Sequence, residues 1–216
     1  MSKRGKIYTA IGLLLLAAAL LLTVYNLRSD AEAGAAAGTV LEQLTPEQEE
    51  AEEKAETGLT GLPSKESPEE VYIPDYILNP EMEMPEEEID GQQYIGVLRI
   101  PALSLELPVI SEWSYPRLKI APCRYAGSVY LNNMVIAAHN YRSHFMYLKN
   151  LSQGDEVTFT DMDGNVFRYE VVTLETLSPF AIEEMTSGDW DLTLFTCTVG
   201  GQSRVTVWCE MTEDGD

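Results

Sequence analysis

Basic residues are scarce in this chain. Its 216 residues carry 14 Lys and Arg against 35 Asp and Glu, a formal net charge of −21. Lys3, Arg4, Lys6 and Arg28 cluster at the N-terminus, so ten bases remain to face all 35 acids in the rest of the chain. Binding phosphates requires a basic footprint, so nucleic acid is excluded as a partner. The same charge repels anionic headgroups, which restricts membrane contact to an anchor. Cysteine and histidine are also few. Three cysteines, Cys123, Cys197 and Cys209, leave one thiol unpaired whatever the other two do, and the histidines are His139 and His144 alone. No internal repeat is visible.

One long apolar run is present. Residues 7–25 are uncharged and mostly aliphatic, and follow the three N-terminal bases. At ~1.5 Å per residue they span roughly 28 Å, about one hydrocarbon core and longer than a signal-peptide apolar region. Ala31-Glu32-Ala33 is a small-residue pattern, but it lies beyond Arg28 and well past the run. The expectation is a retained single-pass anchor over 7–25, with residues 1–6 as a basic cytoplasmic tail and the remainder outside the cell.

Residues 26–90 form the next compositional unit. From Ser29 to Asp90 there are 19 acids, two bases and six prolines. Such a stretch lacks the apolar density to offset its ordering entropy, which predicts a largely disordered linker. Thr45-Pro46-Glu47-Gln48 resembles a capping box that could start a short helix ending near Gly58. Tyr72-Ile73-Pro74-Asp75-Tyr76 is a candidate for docking on the following domain as a lid or extra strand. Otherwise the linker reads as a tether, so a chain starting near Glu88 is expected to suffice for folding and chemistry.

Residues 91–216 read as one domain. Runs rich in β-branched and aromatic residues recur between turn signals, predicting strands over 94–100, 105–109, 134–138, 156–160, 166–174, 192–197 and 204–210. Asp163-Gly164 marks a hairpin between two of them. Short helices are expected over 145–151 and 179–185. This is a mainly β domain, a sandwich or barrel.

Three residues at predicted strand edges carry the chemistry. His139 ends the run Met134-Val135-Ile136-Ala137-Ala138, Cys197 ends Thr193-Leu194-Phe195-Thr196, and Arg204 heads Val205-Thr206-Val207-Trp208. Together they are parts for acyl transfer. A thiolate can store an acyl group as a thioester that remains reactive toward amines. A planar, permanently charged guanidinium can favour that thiolate or hold an oxyanion, and an imidazole can shuttle the proton. Each also has a plainer reading, as strand-end packing, an edge histidine or a surface ion pair. His144 is the rival histidine, but no apolar strand leads into it. Asn140 shapes the loop or takes part in a turn.

The Leu-x-Thr-Cys pattern, the downstream Arg204 and the upstream Ala138-His139-Asn140 resemble the sortases, cysteine transpeptidases of Gram-positive cell surfaces. Ile95-Gly96-Val97-Leu98-Arg99-Ile100-Pro101 and Leu107-Pro108-Val109 resemble that family's opening strands, so the likeness extends over the whole domain. Ala138 departs from the glycine usual before the histidine. The resemblance implies a closed β-barrel of about eight strands with short helices. It also implies that His139, Cys197 and Arg204 form one catalytic site, cleaving an LPxTG-like sorting signal and passing the acyl group to a cell-wall amine. The resemblance leaves the subclass open, class B-like or a related one. Two alternatives stand beside this reading: a pilin-polymerising sortase with a lysine acceptor, and a non-catalytic surface module that binds peptide. A papain-like protease is disfavoured because there the cysteine precedes the histidine.

No cofactor is expected. Asp161-x-Asp163-Gly164-Asn165 invites a calcium reading, but it is too short for an EF-hand loop, and a hairpin turn accounts for the same residues. Whether Cys123 and Cys209 form a disulfide or remain thiols depends on whether their Cα atoms approach, with two buried thiols the favoured state.

Overall fold

The computed structural model describes residues 3–59 and 73–212. Helix α1 (Lys3–Leu59) opens the chain. Its first half is Leu- and Ala-rich, residue types that lose little freedom in a helix. The hydroxyls of Thr9 and Thr23 donate back to the carbonyls of Gly5 and Ala19, so neither is left unpaired in an apolar helix. By length and composition α1 can cross a membrane, with a mean hydropathy of 2.4 in its apolar window.

Nine strands follow: β1 (Glu87–Ile89), β2 (Gln92–Ile100), β3 (Leu105–Ile110), β4 (Cys123–Ala126), β5 (Met134–Ala138), β6 (Glu156–Asp161), β7 (Val166–Leu177), β8 (Leu192–Cys197) and β9 (Arg204–Met211). Their order is β1-β2-β3-β4-β5-β8-β9-β7-β6, and β2 also pairs with β6. That extra pairing closes β2 to β9 into an eight-stranded barrel, with β1 a hairpin arm on β2. Closure draws the two backbones together at Gly96, where a Cβ would collide with the Thr160 carbonyl oxygen and the Phe159 ring. Most pairs are antiparallel, but β5 and β8 run parallel, so their C-terminal ends finish side by side.

Alternation along the strands sorts side chains between two faces. Met134, Ile136, Leu192, Leu194 and Val207 point into the barrel, where they meet Ile95, Leu98, Phe145, Phe159 and Tyr169. Val135, Ala137 and Phe195 point outward and form a smaller cluster with Met185 of α3 (Ile182–Thr186). The predicted hairpin at Asp163-Gly164 joins β6 to β7. Asp161 Oδ1 accepts from the backbone N–H groups of Asp163 (3.0 Å) and Asn165 (2.9 Å). Its Oδ2 accepts from Asn165 Nδ2 (2.9 Å) and Tyr130 Oη (2.8 Å). Three of that carboxylate's contacts serve the turn, and the fourth ties it to Tyr130.

The seven expected strands are present, several longer than expected, while β1 and β4 add to them. β4 escapes pattern reading because it is short and has a register shift between Arg124 and Ala126 that breaks its alternation. The helix expected over 145–151 is instead a single 3₁₀ turn, Leu148–Asn150. Cys123 and Cys209 are buried free thiols in different core clusters.

The linker expectation needs correction. α1 runs on through Ser29 and past Thr45, with no new helix starting at the capping box. Ala33, Ala37, Val40 and Leu44 are buried against the barrel. Spaced by four, three and four residues, they fall on one helix face, and the two alanines allow close approach. Averaged composition hid this stripe among the acids. Residues 60–72, including Tyr72, lie outside the described residues. The described part of the candidate segment, residues 73–76, docks, but as neither lid nor strand. Asp75–Leu78 forms a helical turn, α2, and Tyr76 stacks on Tyr130 with ring centroids 4.7 Å apart. The cleft beneath α2, about 370 Å³, is lined by Val129, Phe167 and Met211 and contains none of the three candidate residues.

Candidate active site

The parallel pairing of β5 and β8 builds the site. Ala138 lies beside Thr196, and one step further along each strand come His139 and Cys197. Thr196 Oγ1 donates to the Ala138 carbonyl at 2.8 Å, a buried bond that ties the two strand ends together immediately before the candidate residues. On the antiparallel side, Cys197 lies directly opposite Arg204 on β9. All three follow the outward register of Val135, Ala137 and Phe195, so the barrel wall presents them to solvent and not to the core. Cys197 is partly accessible, unlike the other two cysteines.

The loop between β8 and β9 is held tightly. Thr198 N–H donates to the Ser203 carbonyl at 3.0 Å, and Ser203 N–H returns a bond to Thr198 Oγ1 at 3.2 Å. Gly201 N–H donates to the Thr198 carbonyl at 2.8 Å. The turn needs φ of 85° at Gly200 and 72° at Gly201, conformations open to glycine at little cost. Arg204 Nη1 donates to the carbonyls of Gly201 (3.2 Å) and Ser203 (3.1 Å). The guanidinium thus braces the loop that follows the cysteine.

The loop after β5 turns sharply, with Phe145 N–H donating to the His139 carbonyl and Met146 N–H to that of Tyr141. Phe145, fully buried, pins this loop to the core. His139 and Tyr141 stack with ring centroids 4.2 Å apart and planes within 5°. Burial lowers the His139 pKa from its ordinary value, and the nearby Lys119 ammonium lowers it further. Tyr141 is raised, mainly by burial. His144 is fully buried, its ring centroid 5.5 Å from that of Tyr141. Among the described residues, neither of its ring nitrogens has a hydrogen-bond partner.

These residues face a pocket of about 560 Å³. His139, Asn140, Tyr141, Arg142 and Met146 line one side, and Cys197 to Gly201 another. The remaining wall is α1, through Thr23, Asn26, Leu27 and Asp30. Asp30 fastens that wall: its Oδ1 accepts from Ser143 N–H (3.1 Å) and Oγ (2.9 Å). A thiol and an imidazole, two of the parts for acyl transfer, line the pocket. Arg204 is paired opposite Cys197 on β9 but is not among the lining residues, its guanidinium being turned onto the loop carbonyls. Sequence reading points to His139, Cys197 and Arg204 as candidates and sets aside His144, which the structure places in the core. It missed Tyr141, Thr196, Lys119 and the α1 wall. Thr196 could have been found from its place beside the cysteine in a buried strand, but nothing local marks Lys119 or Thr23.

An eight-stranded barrel with a cysteine and a histidine at neighbouring ends of parallel strands defines a class. The sortase domain model matches residues 98–212, and the chain belongs to the sortase family, a family of transpeptidases. Solved structures agree in fold. The Clostridium perfringens sortase D5 transpeptidase is 19% identical with a TM-score of 0.51, covering 64% of this chain and 88% of its own. Sortase C1 from Streptococcus agalactiae is 22% identical with a TM-score of 0.51, covering 59% of this chain and 72% of its own. No curated protein matches the chain by sequence.

Proposed function

We propose that this protein is a membrane-anchored cysteine transpeptidase acting outside the cell, with Cys197 as nucleophile, His139 as proton carrier and Arg204 as oxyanion-side donor. In this reading the Cys197 thiolate attacks the carbonyl of an LPxTG-like sorting signal, and His139 gives its proton to the departing amine. A thioacyl enzyme remains. An incoming cell-wall amine loses a proton to His139, attacks the thioester and releases Cys197. The observation that carries the reading is the alignment of His139 and Cys197 at adjacent strand ends, with Arg204 paired to Cys197.

The two families of alternative separate by experiment. Incubation with an LPxTG-like peptide followed by intact-protein mass spectrometry should reveal a thioacyl adduct on Cys197, absent in Cys197→Ala. A folded protein that binds the peptide without forming an adduct would instead be a binding module. Offering the adduct oligoglycine, a diamino-acid peptide or a lysine-bearing pilin-type peptide then identifies the acceptor. Preference for the lysine peptide would favour pilus building over wall anchoring.

A further inference from the structure

The pocket's fourth wall belongs to the same helix that carries the apolar run. Thr23, Asn26, Leu27 and Asp30 recur at the spacing of one helical face, and that face continues into the buried Ala33, Ala37, Val40 and Leu44. The face that locks α1 to the barrel is therefore the face that closes the pocket. The helix is continuous between them, so height along α1 measures height above a membrane. The apolar run ends at Tyr25, and Asp30 stands only about 7–8 Å beyond it at ~1.5 Å per residue. A headgroup layer is of that order of thickness.

The chemistry at this end of the molecule suits such a layer. Leu27 on the helix and Val199 on the β8–β9 loop both line the pocket and are exposed, Val199 by 88%. Tyr25 is an exposed aromatic at the end of the run, the position of an interfacial anchor. Arg28 follows it, and Arg142 lines the pocket, so two bases stand at this end of an otherwise strongly acidic ectodomain. An exposed valine at a loop tip and an arginine on the same pocket fit an interface where apolar and anionic groups alternate.

We propose that the mouth of the catalytic pocket lies in the outer headgroup layer of the membrane that α1 crosses, with Leu27 and Val199 as its lipid-side rim. The pocket then meets segments as they leave the bilayer, before they extend into solvent. This rests on α1 being an anchor, and on the catalytic reading only for its functional meaning.

Depth-dependent quenching tests it in the full chain. In a Cys197→Ala background the two remaining thiols are buried, so single exposed cysteines can carry an NBD probe. Val199→Cys and Arg142→Cys report the rim, Leu15→Cys the span, and Glu42→Cys a point about 25 Å beyond Tyr25 along the helix. The proteins are placed in phosphatidylcholine–phosphatidylglycerol vesicles containing lipids spin-labelled near the headgroup or at mid-chain. The rim probes should lose most of their emission to headgroup-proximal labels and little to mid-chain ones. Leu15 should show the reverse, and Glu42 should be unaffected. Rim probes as unquenched as Glu42, with Leu15 quenched, would overturn the inference while leaving the anchor intact. An unquenched Leu15 would overturn it together with the anchor. Neither result touches the thioacyl reading, which is tested on wild-type protein without lipid.

Discussion

Tyr141 lies flat against the imidazole of His139, with centroids 4.2 Å apart and an interplanar angle of 5°. The three residues that resemble the family's catalytic set include no carboxylate to orient the histidine, and this stack does that work from two residues downstream. A tyrosine face also favours the imidazolium, by about 0.5–2 kcal/mol depending on solvation. It thus opposes the lowering of the His139 pKa by burial and Lys119. Tyr141→Phe keeps the ring and should stay close to wild-type activity. Tyr141→Ala should lower transpeptidation roughly 5- to 20-fold through the lost stack. In that variant the alkaline limb of the pH–rate profile should move to lower pH, because the acid form of His139 disappears earlier. An unshifted limb in Tyr141→Ala would reduce Tyr141 to a packing residue.

Arg204 braces the Gly201 and Ser203 carbonyls through one guanidinium nitrogen, Nη1, while its backbone stays paired opposite Cys197, which leaves the rest of the planar fork for a second task. Arg204→Lys keeps the charge and loses the fork. If Arg204 also supplies an oxyanion donor, turnover should fall by roughly 10²–10³ with a small change in melting temperature. Measured adduct formation and release locate the loss. Near-normal turnover would leave Arg204 as a loop brace.

His144 predicts an acid weakness in the fold. Burial lowers its pKa to about 4, reinforced by His139, while Asp30 and the Ile120 backbone pull the other way. The unfolded state has the higher pKa, near 6.5, and so takes up the proton first. Stability is therefore complete above about pH 6.5 and declines as pH falls toward 4, by a total on the order of 3 kcal/mol. His144→Phe keeps a ring of similar size and removes the titration. Urea midpoints between pH 4 and 7 should decline less steeply in that variant. Identical slopes would show that other groups control acid unfolding.

Much of the barrel was legible because each long strand alternates and each turn carries its own chemistry. Asp161, Asp163, Gly164 and Asn165 specify one hairpin almost by themselves. The catalytic candidates were legible for a different reason. His139, Cys197 and Arg204 each sit at the boundary of an apolar run, where a strand end delivers a polar group to the surface. β4 was not legible, because four residues with a bulge give no period. Nor was the α1 wall. Thr23, Asn26 and Asp30 have no local feature that reveals a pocket whose other residues lie far along the sequence, and only tertiary packing gives them a role. The buried face of α1 was present in the spacing of Ala33, Ala37, Val40 and Leu44, but an acid-rich average concealed it.

That face changes what a shortened chain should do. Residues before Gly91 read as a dispensable tether in the sequence, yet Val40 and Leu44 cover Ile110, Ala121 and Cys123. Burying one such side chain is worth about 1.5–3 kcal/mol, so losing both would remove roughly 3–6 kcal/mol as an upper estimate. Domains of this size have only about 5–15 kcal/mol in total. A soluble chain beginning at Arg28 keeps this face and the Asp30–Ser143 bonds, and should unfold cooperatively in urea. One beginning at Ile73 should have a clearly lower midpoint. One beginning at Glu88 also loses the buried Met84 and the Tyr76–Tyr130 stack, and should be lower again. Peptide processing should follow the same order, because the truncations that begin at Ile73 or later also remove Asp30 and its bonds to Ser143, which hold the loop after His139. Equal midpoints for all three chains would show that α1 merely rests on the barrel, and that the tether reading was right.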